Sequence, residues 1–181
     1  MRLLQFILPL LFVVFNTSEN VEIKRKSLQV GDQIPNFSLI DNNGETFDTE
    51  DYIGKQPLVI FFYPKDNSPV CTSEVCSFRD SFAEFQELNA KIVGISSDHV
   101  ISHDSFSKKH KLPYLLLSDH KKRVQKLFGV PKRFLGFSAG RVTYIANKKG
   151  KVIFIFKDHN EAQAHTEKAL KALRDEKEKL Q

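Results

Sequence analysis

Cysteine is scarce in this sequence, and its scarcity excludes several kinds of protein. Only two cysteines, Cys71 and Cys76, occur in 181 residues, which is too few for a disulfide-stapled scaffold. A structural zinc site commonly takes four ligands at short spacings, and the sequence has no C-x-x-C pair to begin one. Two thiols close together, with no other in the chain, instead indicate redox chemistry.

The sequence also lacks an apolar run long enough to cross a membrane. The longest run covers residues 3–15, after Arg2, and is interrupted by Gln5 and Pro9, whereas a spanning helix needs about 20 residues. It fits the apolar part of a signal or targeting peptide over residues 1–18, followed by a linker at 19–27 and one domain at 28–181. An uncleaved anchor or an unstructured N-terminus is the alternative. We expect the secretory pathway, or a plastid reached through a bipartite leader, and no stable membrane association after leader removal.

The charge of the sequence does not indicate a polyanionic partner. The net charge of +5 comes from 27 Lys and Arg against 22 Asp and Glu, and the basic residues are spread along the chain. Because no recognition motif accompanies them, we expect no nucleic-acid binding. Apolar residues make up 41% of the chain and charged residues 27%, which is typical of a soluble globular domain. We expect this domain to be a monomer.

Strands and helices alternate in the first half of the predicted order of elements. The runs PLVIFFY at 57–63 and KIVGISS at 91–97 are apolar almost throughout, which is typical of strands buried on both faces. The pattern predicts strands at 37–40, 57–63, 91–97, 114–117, 141–146 and 151–156, and helices at 71–88, 102–111, 121–128 and 161–180. This order indicates an α/β fold with parallel central strands and an antiparallel edge. Ligands bind such sheets beyond the carboxyl ends of the central strands, where the loop 64–70 lies.

Cys71 is predicted to open a helix directly after a buried strand. A helix N-terminus carries about half a positive charge and unpaired N–H groups, and both favour a thiolate over a thiol. The thiolate is the nucleophilic form of cysteine, so this position activates the residue. A buried, inert cysteine is the alternative, but the strand, the proline turn and the second thiol together favour a reactive one.

Cys76 is predicted to lie on the same helix as Cys71. Five helical residues place two side chains about 140° apart, with a Cα separation of about 8.7 Å. A disulfide needs Cα atoms within about 7 Å. Either no bond forms between the two thiols, or the first turns of the helix unwind to allow a reversible one.

Residues 64–71, PKDNSPVC, resemble the peroxiredoxin signature P-x-x-x-[TS]-x-x-C. The longer stretch 61–82, with a second Cys five residues after the first, resembles the peroxiredoxin Q (bacterioferritin comigratory protein) subfamily, and the similarity continues at 128–152. The resemblance implies a thioredoxin-like fold, with a central mixed sheet flanked by helices. It also implies a thiol-dependent peroxidase that reduces hydrogen peroxide and organic hydroperoxides and is recycled by thioredoxin or a similar dithiol reductant.

The resemblance further implies roles for individual residues. Cys71 matches the peroxidatic cysteine, which attacks the O–O bond and becomes a sulfenic acid. Cys76 matches the resolving cysteine, which condenses with that acid into an intramolecular disulfide. Ser68 matches a Thr or Ser whose hydroxyl bonds the peroxide and the thiolate, and Pro64 matches a proline that shields the thiolate.

Two further residues, both charged, complete the implied site. Arg141 matches an arginine that holds the thiolate and polarises the peroxide, and a fixed guanidinium suits the charge that develops on the leaving oxygen. Glu74 matches a carboxylate that orients this network. Without the resemblance, the alternative for Arg141 is a surface strand residue in an ion pair. Many relatives have Thr at Ser68 and Gly at Val70, so here the hydroxyl has more rotamers and the backbone less freedom.

Two other classes of function remain open. A thiol–disulfide exchanger usually presents C-x-x-C, whereas this chain has C-x-x-x-x-C, and reduction of insulin disulfides against consumption of peroxide would separate them. A non-enzymatic binding or chaperone module on the same fold would show no peroxide turnover. His99 and His103 could share a metal ion, but no third ligand is evident, and we expect neither a metal nor a cofactor.

Overall fold

The fold is described from a computed structural model, over residues 27–133 and 138–179. The predicted leader at 1–18 lies outside the described residues, and so do all but the last residue of the predicted linker. Within these two ranges, no helix is both long and apolar enough to cross a bilayer.

Nine strands and five α-helices make up the described chain. The strands are β1 Ser38–Asp41, β2 Thr46–Asp48, β3 Leu58–Phe62, β4 Lys91–Ser96, β5 Leu115–Ser118, β6 Lys132–Arg133, β7 Ser138–Ala139, β8 Val142–Ala146 and β9 Val152–Phe156. The helices are α1 Pro69–Asp80, α2 Phe82–Glu87, α3 Val100–His110, α4 Arg123–Phe128 and α5 Ala162–Lys179, with a 3₁₀ turn at Thr49–Asp51.

Seven of these strands form one mixed sheet in the order β2-β1-β5-β4-β3-β8-β9. The central strands β3, β4 and β5 are parallel, and β1 and β8 flank them in antiparallel pairs. Strands β8 and β9 pair antiparallel across the turn at 147–150. This arrangement confirms the predicted α/β fold with parallel central strands and an antiparallel edge.

All the predicted elements occur, with ends that differ from the prediction by a few residues. One predicted helix is divided into two helices in the structure. The predicted helix 71–88 begins at Pro69 and is broken at Ser81, where φ is −97° and ψ is 11°. It begins early because proline suits the first helical position. The break escaped prediction because Phe78, Phe82 and Phe85 keep helical spacing across it. Strand β2, the 3₁₀ turn and the short pair β6–β7 were not predicted.

Strand β3 lies between two cores, and all five of its residues are buried. Phe62 packs on Phe128 of α4, with ring centroids 5.1 Å apart. On the opposite face, Phe61 stacks on Phe78 of α1 at 4.5 Å. Gly94 of β4 makes room for that ring, because a Cβ at this position would come within 2.6 Å of it. Helix α1 is therefore packed firmly over the carboxyl half of β3.

Candidate active site

The cysteine-bearing helix starts just beyond the carboxyl end of β3. After the buried residue Tyr63 the chain turns through residues 64–68, with Asn67 in the left-handed region at φ 58°. Ser68 precedes the helix in an extended conformation, and Pro69 is its first residue. Cys71 is therefore the third helical residue, still within the first turn, where backbone N–H groups lack helical partners. The predicted placement of this thiol at a helix start is confirmed.

A buried arginine brings three of the predicted residues together. Arg141, just before β8, is 2% exposed, and its Nη2 donates to the Cys71 sulfur at 3.3 Å. Its Nη1 donates to Glu74 Oε2, and its Nε donates to the His159 carbonyl at 3.4 Å. Burial opposes the charge on the guanidinium, but Glu74 and Cys71 outweigh that effect and raise the pKa of Arg141. The guanidinium is thus fixed in contact with the sulfur.

Glu74 lies beneath this cation and is fully buried. Burial raises the pKa of Glu74 to about 8, and Arg141 opposes only part of that rise. Its Oε1 lies 3.6 Å from Nδ1 of His165, a ring whose own pKa burial lowers to about 4. Nε2 of His165 faces the Asp158 carbonyl at 2.9 Å and must donate to it, so Nδ1 accepts from the Thr143 hydroxyl at 2.7 Å. This neutral ring offers Glu74 no proton, which is consistent with the raised pKa.

The two remaining residues of the predicted pocket lie in the loop before α1. The Ser68 hydroxyl donates to the Lys65 carbonyl at 3.1 Å and so closes the turn 65–68. The Ser68 carbonyl accepts from Thr72 N–H at 2.9 Å, the first bond of the helix. Pro64 is half-buried at the start of this turn. Both residues therefore border the start of α1, but the Ser68 hydroxyl would have to rotate to serve the sulfur.

Cys76 lies away from Cys71, on another side of the same helix. Its sulfur is 3.8 Å from Nδ1 of His110, at the end of α3. Both cysteines are free thiols. Because α1 is unbroken from Pro69 to Asp80, the helical separation of about 8.7 Å applies. The structure therefore shows a reduced state in which these thiols cannot bond.

A buried polar cluster beside the site was not predicted from the sequence. Asp66, in the loop before α1, accepts from the Tyr63 hydroxyl at 2.8 Å, from the Ser102 hydroxyl at 2.7 Å and from Nδ1 of His103 at 2.9 Å. Its own N–H donates to Asp98 at 3.0 Å. Burial works against the carboxylate charge, but these hydrogen bonds outweigh it and lower the pKa of Asp66. The cluster fastens the loop to α3 and to the end of β4.

His99 and His103, which the sequence analysis considered as metal ligands, each contact another residue. His103 contacts Asp66, whereas the His99 ring packs on that of His120 with centroids 4.0 Å apart. Within residues 27–133 and 138–179, no three His, Cys, Asp or Glu side chains converge as a metal site would require.

Solved structures of peroxiredoxins share this fold. The chain is similar to the peroxidoxin BcpB of Mycobacterium tuberculosis, with a TM-score of 0.76 and 35% identity over 82% of this chain and 97% of that one. It is also similar to the bacterioferritin comigratory protein of Xanthomonas campestris, with a TM-score of 0.71 and 29% identity over 77% and 91% of the two chains. The fold and its helix-start thiol thus define the thioredoxin-like class of peroxiredoxins, as predicted.

The family follows from the sequence itself. The AhpC/TSA family model matches residues 30–155, and the chain belongs to this family. The chloroplastic peroxiredoxin Q of Triticum aestivum is 40% identical over 141 residues, which are 78% of this chain and 64% of that relative. The predicted resemblance to the peroxiredoxin Q group is confirmed, although the chain spans slightly less than two thirds of that relative's length.

Proposed function

We propose that the protein is a thiol-dependent peroxidase that reduces hydrogen peroxide and organic hydroperoxides. The observation that carries this proposal is the buried Arg141 guanidinium, fixed 3.3 Å from the Cys71 sulfur. A cation held there favours the thiolate and also meets the negative charge that develops when an O–O bond is cleaved. The alkyl peroxide reduction activity of the similar Xanthomonas campestris protein supports the inclusion of organic hydroperoxides.

In the first step, the Cys71 thiolate attacks one peroxide oxygen. The S–O bond forms as the O–O bond breaks, the other oxygen leaves as an alcohol or water after taking a proton, and Cys71 becomes a sulfenic acid. Arg141 holds the sulfur and the leaving oxygen, while Glu74 fixes the orientation of the guanidinium. Pro64 shields the sulfur, and the Ser68 hydroxyl rotates from Lys65 to bond the peroxide.

In the second step, the Cys76 thiol condenses with the Cys71 sulfenic acid to give a disulfide and water. The intact helix separates the two sulfurs, so residues 70–77 must unwind in every cycle. A thioredoxin-like dithiol then reduces the disulfide and restores the structure described here. The family resemblance supports that reductant.

The leader is part of the proposal. Residues 1–18 form a targeting peptide, 19–27 a linker and 28–181 the peroxidase domain. The chloroplastic relatives favour a plastid reached through a bipartite leader over secretion. N-terminal sequencing of the protein from its own cells tests this, because a soluble form that begins at Met1 would contradict it.

Peroxide consumption with a thioredoxin system tests the activity. Cys71→Ser should abolish it. Cys76→Ser should consume one equivalent of peroxide, then stall and over-oxidise to sulfinic acid, which mass spectrometry detects. Normal turnover in Cys71→Ser would refute the assignment of the nucleophile. Absence of a Cys71–Cys76 bond in the oxidised wild type would instead favour a one-cysteine cycle with an external thiol.

A further inference from the structure

The resolving thiol lies against an imidazole that the peroxidase chemistry above does not use. The Cys76 sulfur is 3.8 Å from Nδ1 of His110. Arg79, on the same helix as Cys76, donates to the His110 carbonyl at 2.9 Å. The His110 ring packs edge-on against Phe106, with centroids 4.8 Å apart. Two helices therefore hold this ring in place beside the sulfur.

The surroundings of His110 keep it neutral. Burial, and then the positive charges of Lys109 and Arg79, lower its pKa. Its Nε2 is buried and has no hydrogen-bond partner among the described residues, so the ring is neutral at rest, and a positive charge on it is stabilised only while a thiolate lies beside Nδ1. A neutral imidazole has one nitrogen that can take a proton.

Most of the other charged and titratable groups near Cys76 are engaged with other partners. Arg79 pairs with Asp80 at 2.7 Å, and the Tyr114 hydroxyl donates to the Val75 carbonyl at 2.6 Å. The groove between α1 and α5, which Cys76 also lines, carries Glu167 and the ion pair of Glu84 with Arg174. In the described chain, the base in hydrogen-bond contact with the Cys76 sulfur is His110.

We propose that His110 is the general base for the resolving thiol, an inference that rests on the proposed function. Nδ1 takes the proton from the Cys76 S–H while α1 is still folded. The resulting thiolate attacks the sulfur of the Cys71 sulfenic acid, the S–S bond forms and the S–O bond breaks. The oxygen leaves as hydroxide and, by way of solvent, recovers the proton from the imidazolium to become water. The step yields one disulfide and one water from one sulfenic acid and one thiol.

The test is a single turnover with one equivalent of peroxide, in which sulfenic acid formation and disulfide formation are timed separately. Without a base beside it, a thiol must lose its proton to solvent before it attacks, and its thiolate fraction then rises with pH. In His110→Phe, which keeps the ring packing and the backbone carbonyl, disulfide formation at pH 7 should slow at least about tenfold. From pH 7 to 8 the variant should speed up several-fold as the thiolate fraction rises, whereas the wild type should change little.

Two matched variants distinguish a role of His110 as a base from a role in packing. His110→Asn retains a hydrogen-bonding side chain but no base, and it should resolve as slowly as His110→Phe. His120→Phe places the same substitution at an exposed histidine whose ring packs on His99, and it should behave as the wild type.

The outcomes distinguish this inference from the proposed function. If the wild type fails to consume peroxide, the proposed function fails. If the wild type consumes peroxide and forms the disulfide, but His110→Phe resolves as fast with the same pH profile, His110 is not the base. Equal or faster resolution in His110→Asn than in the wild type also overturns the inference.

Discussion

The Tyr114 hydroxyl holds the segment that is proposed to unwind between the two cysteines. It donates at 2.6 Å to the carbonyl of Val75, and both residues are buried in the core beneath α1. In the proposed cycle residues 70–77 leave this position, so the hydrogen bond exists in the folded segment and is lost in the unwound one. Tyr114→Phe should therefore make unwinding easier.

The size of the effect follows from the net value of one hydrogen bond. A bond of this kind contributes about 1 kcal/mol to stability, and 1.4 kcal/mol corresponds to a tenfold change in an equilibrium constant. The unwound population, and with it the rate of Cys71–Cys76 disulfide formation, should rise about fivefold. The protein as a whole should become about 1 kcal/mol less stable. The unwinding mechanism therefore predicts faster disulfide formation in a less stable protein.

The assay is again one turnover with one equivalent of peroxide. The chain has no tryptophan, so the disulfide is followed by acid quenching, alkylation of free thiols and mass spectrometry. Tyr144→Phe is the matched control, because its buried hydroxyl donates to the Phe128 carbonyl at 3.2 Å, away from α1. If Tyr114→Phe resolves no faster than Tyr144→Phe, the segment does not release Val75 and the unwinding mechanism is wrong.

Two further predictions concern the buried residues Arg141 and Glu74. Arg141→Ala should slow oxidation of Cys71 by about two orders of magnitude, because one transition-state donor is lost; a stopped-flow rate near that of the wild type would contradict its role. Burial raises the pKa of Glu74 to about 8 and lowers that of His165 to about 4. Below pH 6.5 the two groups change the free energy of unfolding with pH in opposite directions. Between pH 6.5 and 8, only Glu74 of these two groups changes the free energy of unfolding. In this range native Glu74 holds a proton that the unfolded chain lacks, so the free energy of unfolding should fall by about 2 kcal/mol as the pH rises. Urea unfolding in a Cys71→Ser background should show this fall and its absence in Glu74→Gln; the same fall in both proteins would refute the buried titration.

The elements that carry Cys71 could be predicted because their signals are local. A continuous apolar run predicted β3, proline marked its end, and helical spacing predicted α1, so the position of Cys71 at a helix start needed no tertiary information. The break at Ser81 was missed because the apolar spacing continues across it. Local patterns show which face is buried, and they do not register a change of backbone direction at one residue.

The contacts that complete the site could not be predicted from such patterns. Arg141 meets Cys71 across 70 residues of sequence, and only the family resemblance indicated the pair. His110 and His103 lie 34 and 37 residues from their partners Cys76 and Asp66. Which histidine meets which acid or thiol depends on how α3 packs against α1, and no spacing along the chain encodes that packing.

The cluster around Asp66 bears on how quickly the site can reassemble. It fastens the loop before α1 to α3 and β4, whereas the residues proposed to unwind begin after Ser68. Once the disulfide is reduced, the first turns of α1 therefore re-form over only a few residues, next to a loop that has stayed in place. Helix formation over such lengths takes about a microsecond or less, so recovery of the pocket should be much faster than the encounter with the next reductant. Refolding of α1 would then add little to the duration of a catalytic cycle.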